Sequence, residues 1–213
     1  MDVCLQEPDS FRDDIRRSKS QLEDMTGCEV TGYRAPDFSV VKNSLWALDI
    51  LSEEGFTYDA SINPAVAARF GIPHWPTEPV EVQLPSKKTI VELPVATKGF
   101  LGRSWPVAGG GYHRLFPGFF INRLIASALS NDLVFIAYCH PYEFDPDEFK
   151  QSRRELPLKT RLHQGLGRRG FKRKFVNLLT CFNSELARDI VPMNWPFYER
   201  NDGERAEGGK VKS

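Results

Sequence analysis

Residues 29–59 have the sequence EVTGYRAPDFSVVKNSLWALDILSEEGFTYD, which predicts a strand, a helix and a second strand in succession. The first strand, at residues 29–33, ends before Pro36 because the residue ahead of a proline is pushed out of the helical region. The helix starts at Asn43 or Ser44, carries a wide apolar face and closes at Gly55. The second strand covers residues 56–59. Alternating strands and helices favour an α/β fold, whose sites lie at the C-terminal ends of the strands.

Two further features flank this stretch. A helix is predicted at residues 10–25, capped by Ser10 and stopped by Gly27, and its sparse apolar positions place it on the outside of the fold. On the other side, five prolines lie between residues 63 and 85. Proline lacks the N–H that helices and inner strands use, so this segment is predicted to be an extended surface excursion without a long helix or a central strand.

The next part of the chain continues the alternation. The run LVFIAYC at residues 133–139 is almost continuously apolar, which predicts a strand covered on both faces. The other predicted features are a strand at 89–94 (TIVELP), a tight backbone feature at 109–112 (GGGY) and a helix at 116–129.

The composition excludes several classes of protein. The chain has 213 residues with 28 basic and 28 acidic side chains, and this balance argues against a general polyanion-binding protein. No stretch approaches the ~20 apolar residues that a membrane helix needs. The acidic start lacks the pattern of a secretory signal, and four widely spaced cysteines form no metal-ligand motif. We therefore expect a cytoplasmic protein with reduced cysteines and no membrane span.

The composition changes after residue 145. Residues 150–174 carry ten basic residues against one acid, and helices are predicted at 158–166 and 171–182. We therefore expect a basic helical extension at 145–200, followed by a disordered polar tail at 201–213. The basic run could contact nucleic acid or an anionic glycan. A solvated or internally paired face is favoured, with no nucleic-acid partner, because the run lacks the context of a known nucleic-acid module.

Three predicted strand ends carry polar residues suited to chemistry: Arg34, Asp59 and His140. In an α/β fold the C-terminal ends of the strands can meet at one site although they are far apart in sequence. A histidine after a buried strand, beside a carboxylate that fixes its tautomer, is typical of a general acid or base near neutral pH. A hydrogen-bonded structural histidine is the alternative interpretation.

Five segments occur in order along the chain: GYRAPDFSV, GFTYDASINP, ELPV, PVAGGGYHRLFP and AYCHPYEFDPDEF. In order and spacing they resemble polysaccharide deacetylases of the NodB-homology type, carbohydrate esterase family 4, in particular the subgroup associated with exopolysaccharide and exosortase loci. The likeness covers roughly residues 9–180. It implies a distorted (β/α) barrel over residues 1–144 and a hydrolase that removes N-acetyl groups from a polysaccharide or oligosaccharide. In that family a divalent metal, usually zinc, activates water.

The resemblance also implies roles for individual residues. His140 matches the general acid that protonates the leaving amine, Asp59 matches the carboxylate that tunes this acid, and Arg34 matches the arginine that orients the catalytic aspartate. Residues matching substrate-binding positions of the family are Pro36, Asp37, Phe38, Gly111 and Tyr112. The backbone around Pro36 and Asp37 matches the segment that helps to hold the developing oxyanion.

The chain also departs from the family pattern. The aspartate pair and the H-x-x-x-H motif, which precede the arginine motif in the family, are both missing. No metal ligand is therefore assigned, since zinc catalysis needs about three protein ligands. We expect a deacetylase barrel that lacks its first strands, its catalytic base and its usual metal site, and that a separate upstream polypeptide could complete.

A non-catalytic role is the alternative that these departures leave open. The chain could be a remnant that binds carbohydrate through aromatic residues of its loops, Trp75, Trp105 and Tyr112, without hydrolysing it. Exposed aromatic rings stack on sugar faces, whereas an aromatic residue in a proline-rich loop is more often packed on its own protein.

Overall fold

The computed structural model describes residues 1–65, 70–100, 103–106, 109–129, 134–148, 157–200 and 211–212. The chain forms two compact units. Unit 1 consists of Met1–Trp105 and Leu186–Ser213, and unit 2 is Pro106–Glu185. Unit 2 is therefore an insertion between the two segments of unit 1. The division into domains at 1–144, 145–200 and 201–213 stays a prediction.

The first helix of unit 1, α1, spans Pro8–Thr26. It begins earlier than the predicted Ser10, because Pro8 at the first helical position loses no hydrogen bond there. It ends at Gly27, whose φ of 65° is the left-handed conformation expected at a helix end. Phe11 and Ile15, four residues apart, are buried, whereas Met25 is 84% exposed. The helix thus packs through one narrow stripe.

The sheet of unit 1 has the strand order β1-β2-β4-β3-β7-β8. Its strands are β1 (Gly32–Tyr33), β2 (Tyr58–Asp59), β3 (Val80–Gln83), β4 (Thr89–Glu92), β7 (Phe197–Glu199) and β8 (Val211–Lys212). The β1–β2, β2–β4 and β3–β7 pairs are parallel, and the β3–β4 and β7–β8 pairs are antiparallel. The mixed α/β class is confirmed. Among the described residues the sheet stays open, with β1 and β8 at its edges, so it does not close into the expected barrel.

Two short helices and a second, two-stranded sheet complete the description of unit 1. Helix α2 (Trp46–Glu53) joins β1 to β2, and its buried residues Leu48 and Leu51 belong to the same core as Phe11. Strands β5 (Thr97–Phe100) and β6 (Arg103–Pro106) form a separate two-stranded sheet, and α7 (Ala187–Ile190) precedes β7.

The proline-rich segment is the main correction to the predicted fold. β3 lies inside the sheet between β4 and β7, and Ile72 and Trp75 are each only 4% exposed. The prediction of a surface excursion without a central strand was therefore wrong. Proline does lack the N–H that an inner strand needs, but Pro79 precedes β3 and Pro85 follows it. No proline therefore takes a position that must donate to a neighbouring strand.

Most of the described residues of unit 2 lie in helices, whereas residues 134–140 do not. Its helices are α3 (Gly110–Leu115), α4 (Gly118–Leu129), α5 (Leu158–Gly165) and α6 (Arg168–Cys181). GGGY therefore opens a helix instead of forming the predicted tight backbone feature. Ile121, Ile125 and Leu178 form one buried cluster. Phe171 is fully buried and meets the ring of Phe144 edge-on at 4.9 Å.

The predicted strand at residues 133–139 is not observed in the part of it that the structure describes. Residues 134–137 are not assigned to a strand, and only Tyr138 forms a bridge, parallel to Gly109. The apolar run was misleading because continuous hydrophobicity signals burial but does not show whether strand partners are available.

Residues 201–210 and 213 of the predicted tail lie outside the described residues. None of the described helices combines the length and the apolar character that crossing a bilayer requires.

Candidate functional site

Two carboxylic acids meet inside unit 1 at the ends of neighbouring parallel strands. Asp59 ends β2, Glu92 ends β4, and the two are partners in the strand register. Both side chains are fully buried. Because the carboxyl ends of parallel strands share one edge of a sheet, this pair occupies the position where sites of α/β folds form.

Hydrogen bonds hold this pair in place. The Ser61 hydroxyl donates to Asp59 Oδ1 at 2.5 Å, and the Ser61 backbone N–H donates to Asp59 Oδ2 at 3.2 Å. Glu92 Oε1 accepts the backbone N–H of Ile62 at 3.0 Å. The strand ends and the loop after β2 therefore form one network.

The closeness of these two acids decides which of them keeps a proton. Burial and the charge of Asp59 raise the pKa of Glu92 well above its ordinary value. Burial also raises the pKa of Asp59, but hydrogen bonds from Ser61 favour its charged form and offset part of that rise. Two neighbouring buried carboxylates oppose each other's charge, so Glu92 is the acid that keeps its proton.

The RAPDF segment lies beside this network. Arg34 Nε donates to the backbone carbonyl of Ala60 at 3.0 Å, and the Ala35 N–H donates to Ser61 Oγ at 2.7 Å. The structure thus brings Arg34 and Asp59 into one neighbourhood, linked through residues 60 and 61. Arg34 is exposed, and its guanidinium lies 5.8 Å from the Phe38 ring centre.

Pro36–Phe38 forms a single 3-10 turn. Asp37 and Phe38 have φ values of 52° and 56°, a left-handed conformation that costs non-glycine residues free energy. The side chain of Asp37 is exposed. The turn therefore presents an unusual backbone next to Arg34, at the position predicted to bind substrate.

His140 lies in unit 2, immediately before a 3-10 turn at Pro141–Phe144. Its imidazole is exposed, stacks on the Tyr142 ring with centres 5.1 Å apart and meets the Tyr138 ring edge-on at 6.1 Å. Its backbone N–H donates to Glu143 Oε2 at 3.0 Å. The ring is thus accessible while its backbone is fixed.

The Glu143 carboxylate that holds the His140 backbone is itself part of a buried ion pair. Arg114 Nε lies 3.0 Å from Glu143 Oε1, and the two side chains are 3% and 1% exposed. Arg114 Nη1 also donates to the carbonyls of Gln164 at 2.6 Å and Leu166 at 3.0 Å. The pair therefore ties the His140 turn to α3 and to the C-terminal end of α5.

The GGGY segment contacts the same ion pair. A Cβ on Gly110 would lie 1.7 Å from Glu143 Oε2, so only glycine fits there. Gly109 bridges to Tyr138, two residues before His140. The predicted substrate-binding residues Gly111 and Tyr112 follow directly in α3 and are half-buried, and burial raises the pKa of Tyr112. The structure thus brings these two residues close to the His140 segment.

The basic C-terminal region is partly paired within unit 2, as the favoured interpretation predicts. Arg168 is buried, pairs with Glu148 and lies 4.8 Å from the Tyr142 ring centre. Lys174 Nζ donates to the carbonyls of Arg114 at 2.9 Å and Phe116 at 2.8 Å. These two bases are engaged with the protein itself.

The predicted catalytic residues are divided between the two units. Arg34 and Asp59 come together in unit 1, and His140 belongs to unit 2, so the convergence of all three stays a prediction. Among the predicted sugar-stacking residues, Trp75 is buried and cannot stack on a glycan. The side chain of Trp105 lies outside the described residues.

The sequence analysis missed two residues of these sites, Glu92 and Glu143. Glu92 lies two positions after the buried Ile90 and therefore on the same face of β4, where an acid is unusual. Glu143 is the third residue after His140, the spacing of a side chain that caps a helix start. Both signals are visible in the sequence.

Zinc, which the resemblance implies, was tested against the described residues. No group of three or more His, Cys, Asp or Glu among them lies close enough to hold a metal ion. Zinc sites use about three or four such ligands. The residues that the structure describes therefore do not fit a zinc ion.

Comparisons with known proteins give a family and a fold. The family model described as "Domain of unknown function (DUF3473)" matches residues 60–191. A crystal structure of a "putative polysaccharide deacetylase" from Mycobacterium smegmatis is similar, with a TM-score of 0.52 and 18% sequence identity. The match covers 86% of this chain and 54% of that protein, so the chain spans about half of its length. At this identity the likeness shows the fold alone.

A search of curated proteins found no significant match. The family match covers more than half of the residues in the chain and includes Glu92, Arg114, His140 and Glu143. The chain belongs to the DUF3473 family.

Proposed function

We propose that this chain takes part in the hydrolysis of N-acetyl groups on a polysaccharide, as a deacetylase-like hydrolase that cleaves a carbon–nitrogen bond. In this reaction water adds its oxygen to the acetamide carbon, the C–N bond breaks, and the products are acetate and a protonated amine, which together hold both protons of the water. The fold of a protein named as a deacetylase supports the proposal. The observation that carries it is the accessible His140 ring on a buried Arg114–Glu143 support.

In the proposed reaction His140 is the general acid. A departing amine must receive a proton, and the imidazole of histidine is the side chain most often used to transfer one. The bond from the His140 N–H to Glu143 fixes the backbone, and stacking on Tyr142 restricts the ring. A proton donor held in this way loses little entropy when the substrate binds.

The residues of unit 1 have supporting roles in the proposal. Asp59 is the candidate for the carboxylate that tunes the general acid, as the resemblance implies, and Glu92 holds the proton beside it. Arg34 and the Pro36–Phe38 turn form part of the glycan-binding wall. Because the described residues do not fit zinc, no step of the proposal passes through a metal on this chain.

A second candidate function is glycan binding without hydrolysis. The absence of a three-ligand cluster from the described residues favours it, since it removes the usual means of activating water at an amide. In this alternative the exposed His140 ring and its stacked partner Tyr142 contact sugar faces directly.

One experiment separates the two candidates. The purified chain is incubated with an N-acetylated chitooligosaccharide, with and without added zinc, and both released acetate and glycan binding are measured. His140→Asn is the test variant. His74→Asn is the matched control, because His74 is also an exposed histidine but belongs to unit 1.

We expect acetate release that His140→Asn reduces by a factor of 10² to 10⁴, the usual contribution of a general acid, and that His74→Asn leaves unchanged. Binding without acetate release would support the second candidate. Equal activity of the two variants would reject the role of His140, and the absence of both binding and release would reject both candidates.

A further inference from the structure

Among the described residues of unit 2, helices α3, α4, α5 and α6 contain basic residues but no acidic ones. No Asp or Glu occurs in α3 (GGYHRL), α4 (GFFINRLIASAL), α5 (LKTRLHQG) or α6 (RRGFKRKFVNLLTC). The acids that the structure describes in unit 2 lie instead at positions 143–148 and at Glu185. On α6, Arg169, Lys172 and Arg173 are exposed. This helix therefore presents positive charge that no acid of the same helix neutralises.

Contacts between α4 and α6 define which of their faces point outward together. Ile121 and Ile125 of α4 cluster with Leu178 of α6 on the buried side. Beside this cluster, Asn122 Nδ2 donates to Asn177 Oδ1 at 3.0 Å in an exposed position. The two asparagines thus mark the line along which the helices meet at the surface.

Exposed residues flank this line on both helices. Phe119 lies three residues before Asn122, and Arg173 lies four residues before Asn177, so each shares the helix face of its asparagine. Arg123 and Val176 are the adjacent exposed positions, and Arg169 lies one turn before Arg173. The outward surface formed by Phe119, Arg123, Arg169, Arg173 and Val176 is called the α4–α6 face.

The α4–α6 face combines positive charge with large apolar groups. Phe119 is 77% exposed and Val176 is 51% exposed. Leu179, next on the exposed side of α6, is 46% exposed. Side chains of this size gain free energy when they leave water, and three arginines beside them attract anions.

We propose that the α4–α6 face binds the surface of an anionic lipid bilayer. A bilayer offers acidic headgroups for the arginines and, a few ångströms deeper, an apolar layer for Phe119 and Val176. Nucleic acids and acidic glycans complement the arginines equally well but offer no apolar layer for Val176 and Leu179. Helices of 12 and 14 residues are too short to span a bilayer, so they would lie on it.

Vesicle flotation with the full chain tests this proposal. The vesicles are phosphatidylcholine alone, or phosphatidylcholine with phosphatidylserine. The test variant replaces Arg169 and Arg173 with Gln. The matched control replaces Arg17 and Lys42 with Gln, because these are also two exposed bases but lie in unit 1. A third variant, Phe119→Ser, removes the most exposed apolar ring, and circular dichroism verifies that each variant is folded.

We expect binding only to vesicles that contain phosphatidylserine, weakening as salt is added. Removing both arginines should weaken this binding roughly 25-fold, from about fivefold for each charge near the membrane surface. Phe119→Ser should weaken it by on the order of tenfold, and the control should bind like the unaltered chain.

Three results would overturn the proposal. They are no binding to either vesicle, equal binding by the arginine variant and the control, or preferential capture of single-stranded DNA or heparin when these compete with the vesicles. The last result would assign the face to a polyanion in solution. None of these outcomes depends on acetate release, so the test is independent of the proposed function.

Discussion

Replacing Gly110 with Ala tests whether Glu143 is a fixed support for the His140 turn. The new Cβ would lie 1.7 Å from Glu143 Oε2, whereas ordinary contacts begin at 3.4 Å. The carboxylate would therefore have to retreat by about 1.7 Å, the difference between these two distances. It has no free direction, because one oxygen is 3.0 Å from Arg114 Nε and the other accepts the His140 N–H at 3.0 Å.

The expected cost follows from the burial of this pair. Arg114 and Glu143 are 3% and 1% exposed, so a displaced carboxylate leaves a buried guanidinium without its counter-charge. Breaking such a pair costs about 3–5 kcal/mol. Gly110→Ala should lower the melting temperature of the chain by on the order of 10 °C. Release of acetate should fall as well, because His140 loses the acceptor of its backbone N–H.

Gly111→Ala is the matched control for this experiment. It makes the same change one residue later in the same helix, where the nearest atom to the new Cβ is Arg114 Nη2 at an ordinary 3.7 Å. Alanine in a helix is favoured over glycine by about 1 kcal/mol, so this variant should be as stable as the unaltered chain or slightly more so. Thermal melting followed by circular dichroism compares the two. The reasoning fails if the free energies of unfolding of the two variants differ by less than about 1 kcal/mol, because the Glu143 carboxylate would then be free to move.

Two further predictions concern stability. The folded protein keeps a proton on Glu92 that the unfolded chain releases, because the pKa of Glu92 is raised in the folded state. The free energy of unfolding should therefore fall by about 1.4 kcal/mol per pH unit as the pH rises above the unfolded pKa and until Glu92 ionises. Glu92→Gln, which keeps the size of the side chain but cannot ionise, should flatten this slope in urea unfolding at several pH values. An unchanged slope would contradict the proton on Glu92. Phe171→Ala should lower the free energy of unfolding by about 3–5 kcal/mol, because it empties a buried position. Phe119→Ala, at an exposed position, should change that free energy by less than ~0.5 kcal/mol. Similar values for the two variants in calorimetry would be inconsistent with the described core.

Local patterns in the sequence predicted the elements whose signals are local. Gly27 and Gly55 mark the ends of α1 and α2, both with positive φ. The alternation in TIVE predicted β4. β3 was missed because the prolines of residues 63–85 were counted together, although Pro79 and Pro85 lie just outside the two ends of the strand. The strand at 133–139 was predicted but is not observed in its described part, since an apolar run does not reveal whether neighbouring strands are available to pair with it.

The site was predictable to a similar degree. Asp59 and His140 stood out because each follows a hydrophobic segment. Their buried partners did not, because Glu92 meets Asp59 only through the register of two strands that are separated in sequence. Arg114 likewise meets Glu143 only after α3 folds back on the His140 turn. Pairings of this kind depend on tertiary packing, which a single sequence encodes but does not display.

The two-part construction of unit 1 has a consequence for how the chain is made. β3 bonds on one side to β4, but its other neighbour, β7, is translated only after the whole of unit 2. Until Phe197–Glu199 leaves the ribosome, the β7-facing edge of β3 has no strand beside it, and an open edge invites pairing with another nascent chain. We therefore expect slow or interrupted translation after residue 185 to favour aggregation, and the arrival of these few residues to end that risk.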